Sequence, residues 1–185
     1  MHEIRWHGRG GQGAVTSAKI LADAAFRSGF AGVTSQPSFG AERRGAPITA
    51  STRLAHEPIR VLNQVSSPDI VVVLDDSLIA VGNATGGMKP GGTIIVNTVK
   101  TAEQLGVDRD DIRIVTSDVT GAAQAVDLIV GGQPMVSTAI LGAFARATGL
   151  ITLESVEAAI AHAFSGKAAT KNIEAAKIAF DCTKA

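Results

Sequence analysis

The chain has 185 residues, enough for one domain with a sizeable core, and its 17 lysines and arginines balance 17 aspartates and glutamates to a formal charge of zero. With 18% of residues charged, against about a quarter in ordinary domains, a nucleic-acid surface is not expected. No apolar run nears the roughly 18 residues that a membrane-spanning helix requires. The single cysteine, Cys182, excludes an internal disulfide and a cysteine-ligated metal cluster, so any iron–sulfur cluster would belong to a partner. The start at Met1–Arg5 runs straight into a strand and shows no signal-peptide pattern, which predicts cytoplasmic residence. Sparse charge also predicts a surface that is partly neutral or apolar and covered by another chain.

Ile4 to His7 reads as a first strand leading into Gly8-Arg9-Gly10-Gly11-Gln12-Gly13, after which Ala14, Ala18, Leu21 and Ala25 hold one helical face through Phe26. Gly29 ends that helix, and Phe30 to Ser35 is a short second strand before the turn at Pro37. The charged loop Phe39 to Pro47 feeds Ile48 to Leu54, whose alternation predicts a partly exposed strand, and Ile59 to Leu62 is a further strand or a turn. Ile70 to Leu74 is a continuous apolar run of the kind buried on both faces of a parallel sheet, with Asp75 and Asp76 at its carboxyl end. Gly91-Gly92 turn the chain into Thr93 to Val96, closing at Asn97. Ile112 to Val115 supplies another strand before Asp118 or Thr120 caps a helix through Ile129. Gly82 to Gly92 is a loop.

The last third is helical. Val136, Ile140, Phe144 and Ala147 form a stripe ending at Gly149, and Leu153, Val156, Ile160 and Phe164 form the next after Thr152; Lys171 to Phe180 adds a short helix. Nothing divides the chain into parts. The expectation is one domain over residues 1–185, a three-layer α/β/α sandwich around a largely parallel sheet with a helical C-terminal third.

Gly8-Arg9-Gly10-Gly11-Gln12-Gly13 satisfies the dinucleotide pattern G-x-G-x-x-G between a strand and a helix. The acid that a NAD site wants roughly 20 residues further on is missing, because Thr34, Ser35, Gln36 and Pro37 occupy that region. The Walker pattern fails as well, since Ala14-Val15 stand where lysine and a hydroxyl residue are needed. Two readings of the loop stay open: backbone N–H groups and Arg9 facing a phosphate or carboxylate of a cofactor at the helix N-terminus, or close approach of helix to sheet or of a neighbouring subunit.

Glu42, Arg43, Arg44 and Gly45 form the other dense patch, either an arginine grip on an anion or an ordinary turn into Ile48. Asp75 and Asp76 are either a carboxylate pair for acid–base work or Mg²⁺ or a simple strand end, and the strand end is favoured because adjacent strand residues point opposite ways. His2, His7, His56 and His162 have no metal spacing, although His7 ends the first strand beside the glycine loop. No serine sits in a nucleophile elbow, Cys182 has no visible base, and Trp6 is a core or interface ring. No catalytic and no metal-ligating residue is assigned.

Taken together, Gly8 to Gly13 and Ser38-Phe39-Gly40-Ala41-Glu42-Arg43-Arg44-Gly45-Ala46-Pro47 resemble the gamma subunit, or fused gamma domain, of pyruvate:ferredoxin oxidoreductase and related 2-oxoacid:acceptor oxidoreductases. The resemblance continues through Pro68 to Asp75, through the strand closing at Asn97, and through Leu141-Gly142-Ala143-Phe144 and Lys171-Asn172. Ser137 departs from the asparagine that the family places shortly before the Leu-Gly-Ala stretch. The resemblance implies a subunit of a complex that turns pyruvate or a branched-chain 2-oxoacid plus coenzyme A into acyl-CoA and CO₂, with electrons passed to ferredoxin or flavodoxin. Thiamine diphosphate and Mg²⁺ would sit with alpha and beta subunits and [4Fe-4S] clusters with beta and delta subunits, leaving this chain inactive alone. Carried over to this sequence, Gly8, Arg9, Gly10, Gly11, Gln12 and Gly13 would be the cofactor-facing or close-packing loop, and Glu42, Arg43, Arg44 and Gly45 the interface or CoA-side loop. The competing class is a stand-alone nucleotide- or anion-binding module that uses the glycine loop without catalysis.

Overall fold

In the computed structural model, residues 1–37, 44–61 and 63–184 are described. The strands are β1 (His2–Arg9), β2 (Gly32–Pro37), β3 (Pro47–Ala55), β4 (Ile70–Val73), β5 (Thr93–Asn97), β6 (Arg113–Ser117), β7 (Ile129–Val130) and β8 (Gln133–Pro134). The helices are α1 (Ala14–Arg27), α2 (Leu78–Val81), α3 (Val119–Ala125), α4 (Val136–Thr148), α5 (Leu153–Ala163) and α6 (Gly166–Cys182). The main sheet has the order β2-β3-β1-β4-β5-β6, and β7 and β8 make a small hairpin. β3 lies antiparallel to both β1 and β2, while β1, β4, β5 and β6 pair in parallel, so five of the six strands run the same way. The largely parallel α/β sandwich expected from the sequence is the fold.

The two faces of the sheet are covered unequally. Ile4, Trp6, Leu54, Ile70, Val72, Ile95 and Val115 pack beneath α1, α3, α4, α5 and α6 in one large core. Trp6 belongs to this core and not to an interface. It is fully buried, stacks on Phe144 at 6.2 Å and donates from Nε1 to Thr52 Oγ1 at 3.0 Å. On the opposite face Val71, Val73, Ile94 and Val96 meet Leu78, Ala84, Met88 and Ile112, with the one-turn helix α2, a 3-10 turn at Glu103–Leu105 and loops as their cover. Alternate strand residues are apolar on both sides here, which is why β4 and β5 read as continuous apolar runs.

Alanine and glycine let the helices of the thick layer approach closely. A β-carbon on Gly142 in α4 would collide with the Ala176 carbonyl of α6, where Ala175, Ala176 and Ala179 are all fully buried. Helix ends follow the sequence signals. Asp118 Oδ1 accepts from Gly121 N at 2.8 Å and Thr152 Oγ1 from Ser155 N at 3.2 Å, and Gly149 closes α4 with φ 63°.

Some boundaries differ from the sequence reading. α3 stops at Ala125 instead of reaching Ile129, because Asp127 turns left-handed at φ 51° and the chain enters the β7–β8 hairpin. The last helix is the longest, 17 residues from Gly166 instead of a short piece from Lys171. Of the segment Ile59 to Leu62, residues 59–61 form neither strand nor turn and Leu62 lies outside the described residues. Among the described residues no helix is long and apolar enough to cross a membrane.

Candidate functional site

The chain leaves β1 toward the thick helical layer through α1 and leaves β4 toward the thin layer through α2, so a crevice opens between the two strand ends. Ligands of open α/β sheets gather where connections diverge in this way. Here the crevice widens into a cleft of about 1020 Å³ that spans the carboxyl ends of β1, β4 and β5.

Its nearest wall is the glycine loop, which divides into distinct jobs. Gly8 is squeezed, since a β-carbon there would lie 3.1 Å from both Ala14 Cβ and Leu74 Cδ1. Gly10 is bound through its backbone: its N–H donates to Ala46 O at 2.9 Å and its carbonyl accepts from Gly45 N at 3.0 Å. Gly11 has φ 96° and open space where a side chain would be, and it borders the cleft. Gly13, with φ 83°, begins α1 without a side-chain cap and with no acidic residue in the first turn. It packs against Ser137 at the start of α4, and Ser17 Oγ donates to the Ser137 carbonyl at 2.7 Å.

Arg9 is not a free cation. Its Nε stands 2.9 Å from Asp75 Oδ2, Nη2 donates to Ser77 Oγ at 2.7 Å and Nη1 to Gly45 O at 3.1 Å. Gln12 closes the loop on itself, accepting from Arg9 N at 2.7 Å and donating to Asp75 Oδ2 at 3.3 Å. Burial works to raise the Asp75 pKa, but hydrogen bonds from Ser77, Arg9 and Gln12 outweigh it and hold the carboxyl below its ordinary value.

The two motifs singled out in sequence therefore meet, through the bonds between Gly10 and the segment Arg44–Ala46. Glu42 and Arg43 lie outside the described residues. Arg44 is exposed on the edge of the cleft, and its guanidinium has no hydrogen-bond or ion-pair partner among the described residues.

Asp75 and Asp76 diverge as strand-end residues should. Asp76 turns away to accept from Thr98 Oγ1 at 2.9 Å and Lys100 Nζ at 3.0 Å. Among the described residues no group of His, Cys, Asp and Glu could hold a metal ion. His7 does not reach the cleft; it lies buried on the thin-layer side of β1. His162 pairs with Asp23 at 3.1 Å and His56 stacks on Phe30 at 4.8 Å.

Sequence reasoning overlooked Asn97. Its Nδ2 donates to Leu74 O at 3.0 Å and to Thr120 Oγ1 at 2.9 Å, and its Oδ1 accepts from Thr120 N at 3.1 Å. It thereby ties β4, β5 and the first turn of α3 into one floor. An asparagine at the carboxyl end of an apolar strand was the available signal. The far rim carries exposed Val99 and Val130.

The sequence model of the pyruvate ferredoxin/flavodoxin oxidoreductase family matches residues 3–182. The common subunit gamma of the pyruvate/ketoisovalerate oxidoreductases of Thermococcus kodakarensis is 51% identical over 185 residues, covering 99% of this chain and 97% of that protein. The crystal structure of the pyruvate oxidoreductase subunit PORC from Thermotoga maritima superposes with a TM-score of 0.84 at 33% identity, over 99% of this chain and 97% of that one. The fold recurs at 18% identity and a TM-score of 0.74 within the 2-oxoglutarate:ferredoxin oxidoreductase of Magnetococcus marinus, solved with 2-oxoglutarate, coenzyme A and succinyl-CoA bound. That match covers 97% of this chain and 30% of the longer one.

Proposed function

The chain belongs to the pyruvate ferredoxin/flavodoxin oxidoreductase family as a PorC-like gamma subunit, and on that premise we propose that it is the accessory subunit of a complex converting pyruvate or a branched-chain 2-oxoacid to acyl-CoA. In this reading coenzyme A takes the acyl group, CO₂ leaves, and two electrons pass to ferredoxin or flavodoxin. Alpha, beta and delta subunits supply thiamine diphosphate, Mg²⁺ and the [4Fe-4S] clusters; this chain carries none of the bond-breaking chemistry. Its part is to shape one wall of the approach for coenzyme A.

The observation that carries the role is the cleft itself, in which the glycine loop and the Arg44–Ala46 segment are joined by backbone hydrogen bonds on one side of the strand ends. Arg9 is already satisfied by Asp75, Ser77 and Gly45, so among the described residues that line the cleft Arg44 is the cation left for a phosphate group of coenzyme A. Gly11 adds close backbone approach, and the uncapped start of α1 adds the positive end of a helix dipole. The exposed apolar rim at Val99 and Val130 suits cover by another subunit.

The test is anaerobic purification of the assembled complex, then assay with pyruvate, 2-oxoisovalerate, 2-oxoglutarate and indolepyruvate plus coenzyme A and a low-potential acceptor. Arg43→Ala and Arg44→Ala are introduced into this subunit. The reading expects the apparent KM for coenzyme A to rise roughly tenfold with Arg44→Ala, the loss of about 1.4 kcal/mol that one charge-assisted contact supplies. Unchanged coenzyme A dependence together with unchanged assembly would sink it, as would full activity of the lone subunit.

A further inference from the structure

The thin-layer face of the sheet changes character at β1. Toward β4 and β5 it is apolar. On the other side the register sets Glu3 opposite Arg53, Arg5 opposite Ser51 and His7 opposite Thr49, with Thr34 and Gln36 of β2 continuing the same rows. Directly opposed residues share a face, so this half of the sheet is polar throughout. No helix covers it. A cavity of about 300 Å³ lies over it, and it shares no lining residue with the cleft at the strand ends.

Two cations stand on this half-face with incomplete partners. Arg5 is half-buried and donates from Nε to His7 Nε2 at 3.0 Å and from Nη2 to the carbonyls of Ala84, at 3.0 Å, and Gly86, at 2.5 Å. Its Nη1 donates to no described residue, and among the described residues no carboxylate pairs with it. The nearby Glu3 carboxylate is taken by Arg53 at 3.0 Å and Lys89 at 3.5 Å. Arg53 itself is 1% exposed, and its Nη1 is buried without a partner. A half-buried guanidinium facing only a neutral imidazole and two carbonyls among the described residues is an uncompensated charge, and its own pKa is depressed by that burial.

His7 completes the arrangement. Because its Nε2 accepts from Arg5, the proton of the neutral ring sits on Nδ1, which faces Gly82 and has no acceptor among the described residues. The ring is 5% exposed. Burial first, and the Arg5 charge second, push its pKa down to about 4, so it is a neutral donor at physiological pH. Ser51, Gln36, Gln64 and Asn83 border the same cavity, and among the described residues no carboxylate does.

We infer that this cavity binds a small oxyanion, an organic carboxylate or inorganic phosphate, whose charge compensates Arg5 and whose oxygens accept from Arg5 Nη1, His7 Nδ1 and the Ser51 hydroxyl. The volume, about 300 Å³, is at the lower limit for small-molecule pockets and suits a ligand of this size. The inference does not depend on the coenzyme A reading, because the two sites have different walls.

The experiment follows the imidazole resonances of the full chain labelled at histidine, with His7→Gln identifying the His7 signal. Sodium phosphate and sodium acetate are titrated separately, with chloride at matched ionic strength as the third arm. Saturable movement of the His7 resonance at millimolar anion, with its pKa raised by about one unit while His162 stays unmoved, is the expected result; the stronger of the two arms identifies phosphate or carboxylate as the ligand class. Ser51→Asp sets a carboxylate opposite Arg5, and it should raise the His7 pKa without added anion and weaken the anion response at least tenfold. Gln64→Glu at the exposed rim repeats the test if Ser51→Asp fails to fold. No saturable response in either oxyanion arm, an equal response to chloride, or an undiminished response in both acidic variants overturns the inference.

Discussion

Gly13 and Ser137 leave no room for a side chain between them: a β-carbon on Gly13 would stand 2.7 Å from Ser137 Cβ and 3.1 Å from its Oγ. The first helix and the fourth thus meet at their N-termini through a missing side chain. Gly11, two residues earlier, shares the left-handed backbone with φ 96° but has nothing within 4 Å. Gly11→Ala should therefore cost only the backbone term, about 1 kcal/mol, while Gly13→Ala adds overpacking for a total of about 3 kcal/mol. In a thermal melt this corresponds to a fall of roughly 3 °C against roughly 10 °C. Equal losses would show that Gly13 serves backbone conformation alone.

Gly142 makes a second such approach, and there the obstacle is backbone. The carbon would strike the Ala176 carbonyl and lie 3.1 Å from Phe180 N, so relief requires α6 to move. Gly142→Ala is expected to destabilise by about 3 kcal/mol or more, and Ala176→Gly should not rescue it, because truncating a side chain leaves the carbonyl in place. Chemical denaturation of the single and double variants measures both statements. Rescue by Ala176→Gly would contradict them.

What the sequence disclosed follows from how local each signal is. The strand–loop–helix unit at the N-terminus, the apolar runs of β4 and β5, and the stops at Gly149 and Thr152 are written in neighbouring residues. The alternation of Thr49, Ser51 and Arg53 with apolar positions marks β3 as partly exposed, and so it is, but no local pattern tells that it is an inner strand between β2 and β1. The start of α6 was missed because residues 166–170 carry no apolar stripe; the helix is held further on by Asn172, Ala175, Ala176 and Ala179. The site was half legible. Both motifs were visible, but Arg9 finds Asp75 66 residues away and Asn97 finds Leu74 23 residues away, and no local pattern encodes those pairings.

The Arg9–Asp75 pair joins the ends of β1 and β4, and its two side chains are 31% and 25% exposed. Solvent screening at that exposure limits the coupling to about 1 kcal/mol in a double-mutant cycle of Arg9→Ala and Asp75→Ala. Arg9→Lys should not restore it, since one ammonium cannot reach Asp75, Ser77 and Gly45 together. The folded-state pKa of Asp75 is depressed, so its contribution is present above the ordinary value of 3.8 and disappears as pH falls below it. A coupling that persists undiminished in strong acid would contradict the assignment.

Asn97 holds the cleft floor through donation to Leu74 O and both donation to and acceptance from Thr120. It is 8% exposed, so Asn97→Leu leaves a buried carbonyl without its donor at a cost of about 2 kcal/mol. Asn97→Asp is expected to do no better, because an ionised carboxylate cannot donate to Leu74 O. Urea unfolding of both variants decides the point, and a neutral Asn97→Leu would show that the floor stands without this link.

His7 gives the protein a pH dependence of definite sign. In the unfolded chain its pKa is near the ordinary 6.5, whereas in the folded protein burial and Arg5 lower it to about 4. Between those values the unfolded state binds the extra proton, so stability is complete above pH 6.5 and falls as the solution is acidified toward pH 4. At 1.36 kcal/mol per unit the loss approaches about 3 kcal/mol. His7→Gln keeps an acceptor for Arg5 but no titrating ring, and it should flatten the profile through that window. Matching slopes for the two proteins between pH 4 and 6.5 would show that His7 is protonated as readily inside the fold as outside it.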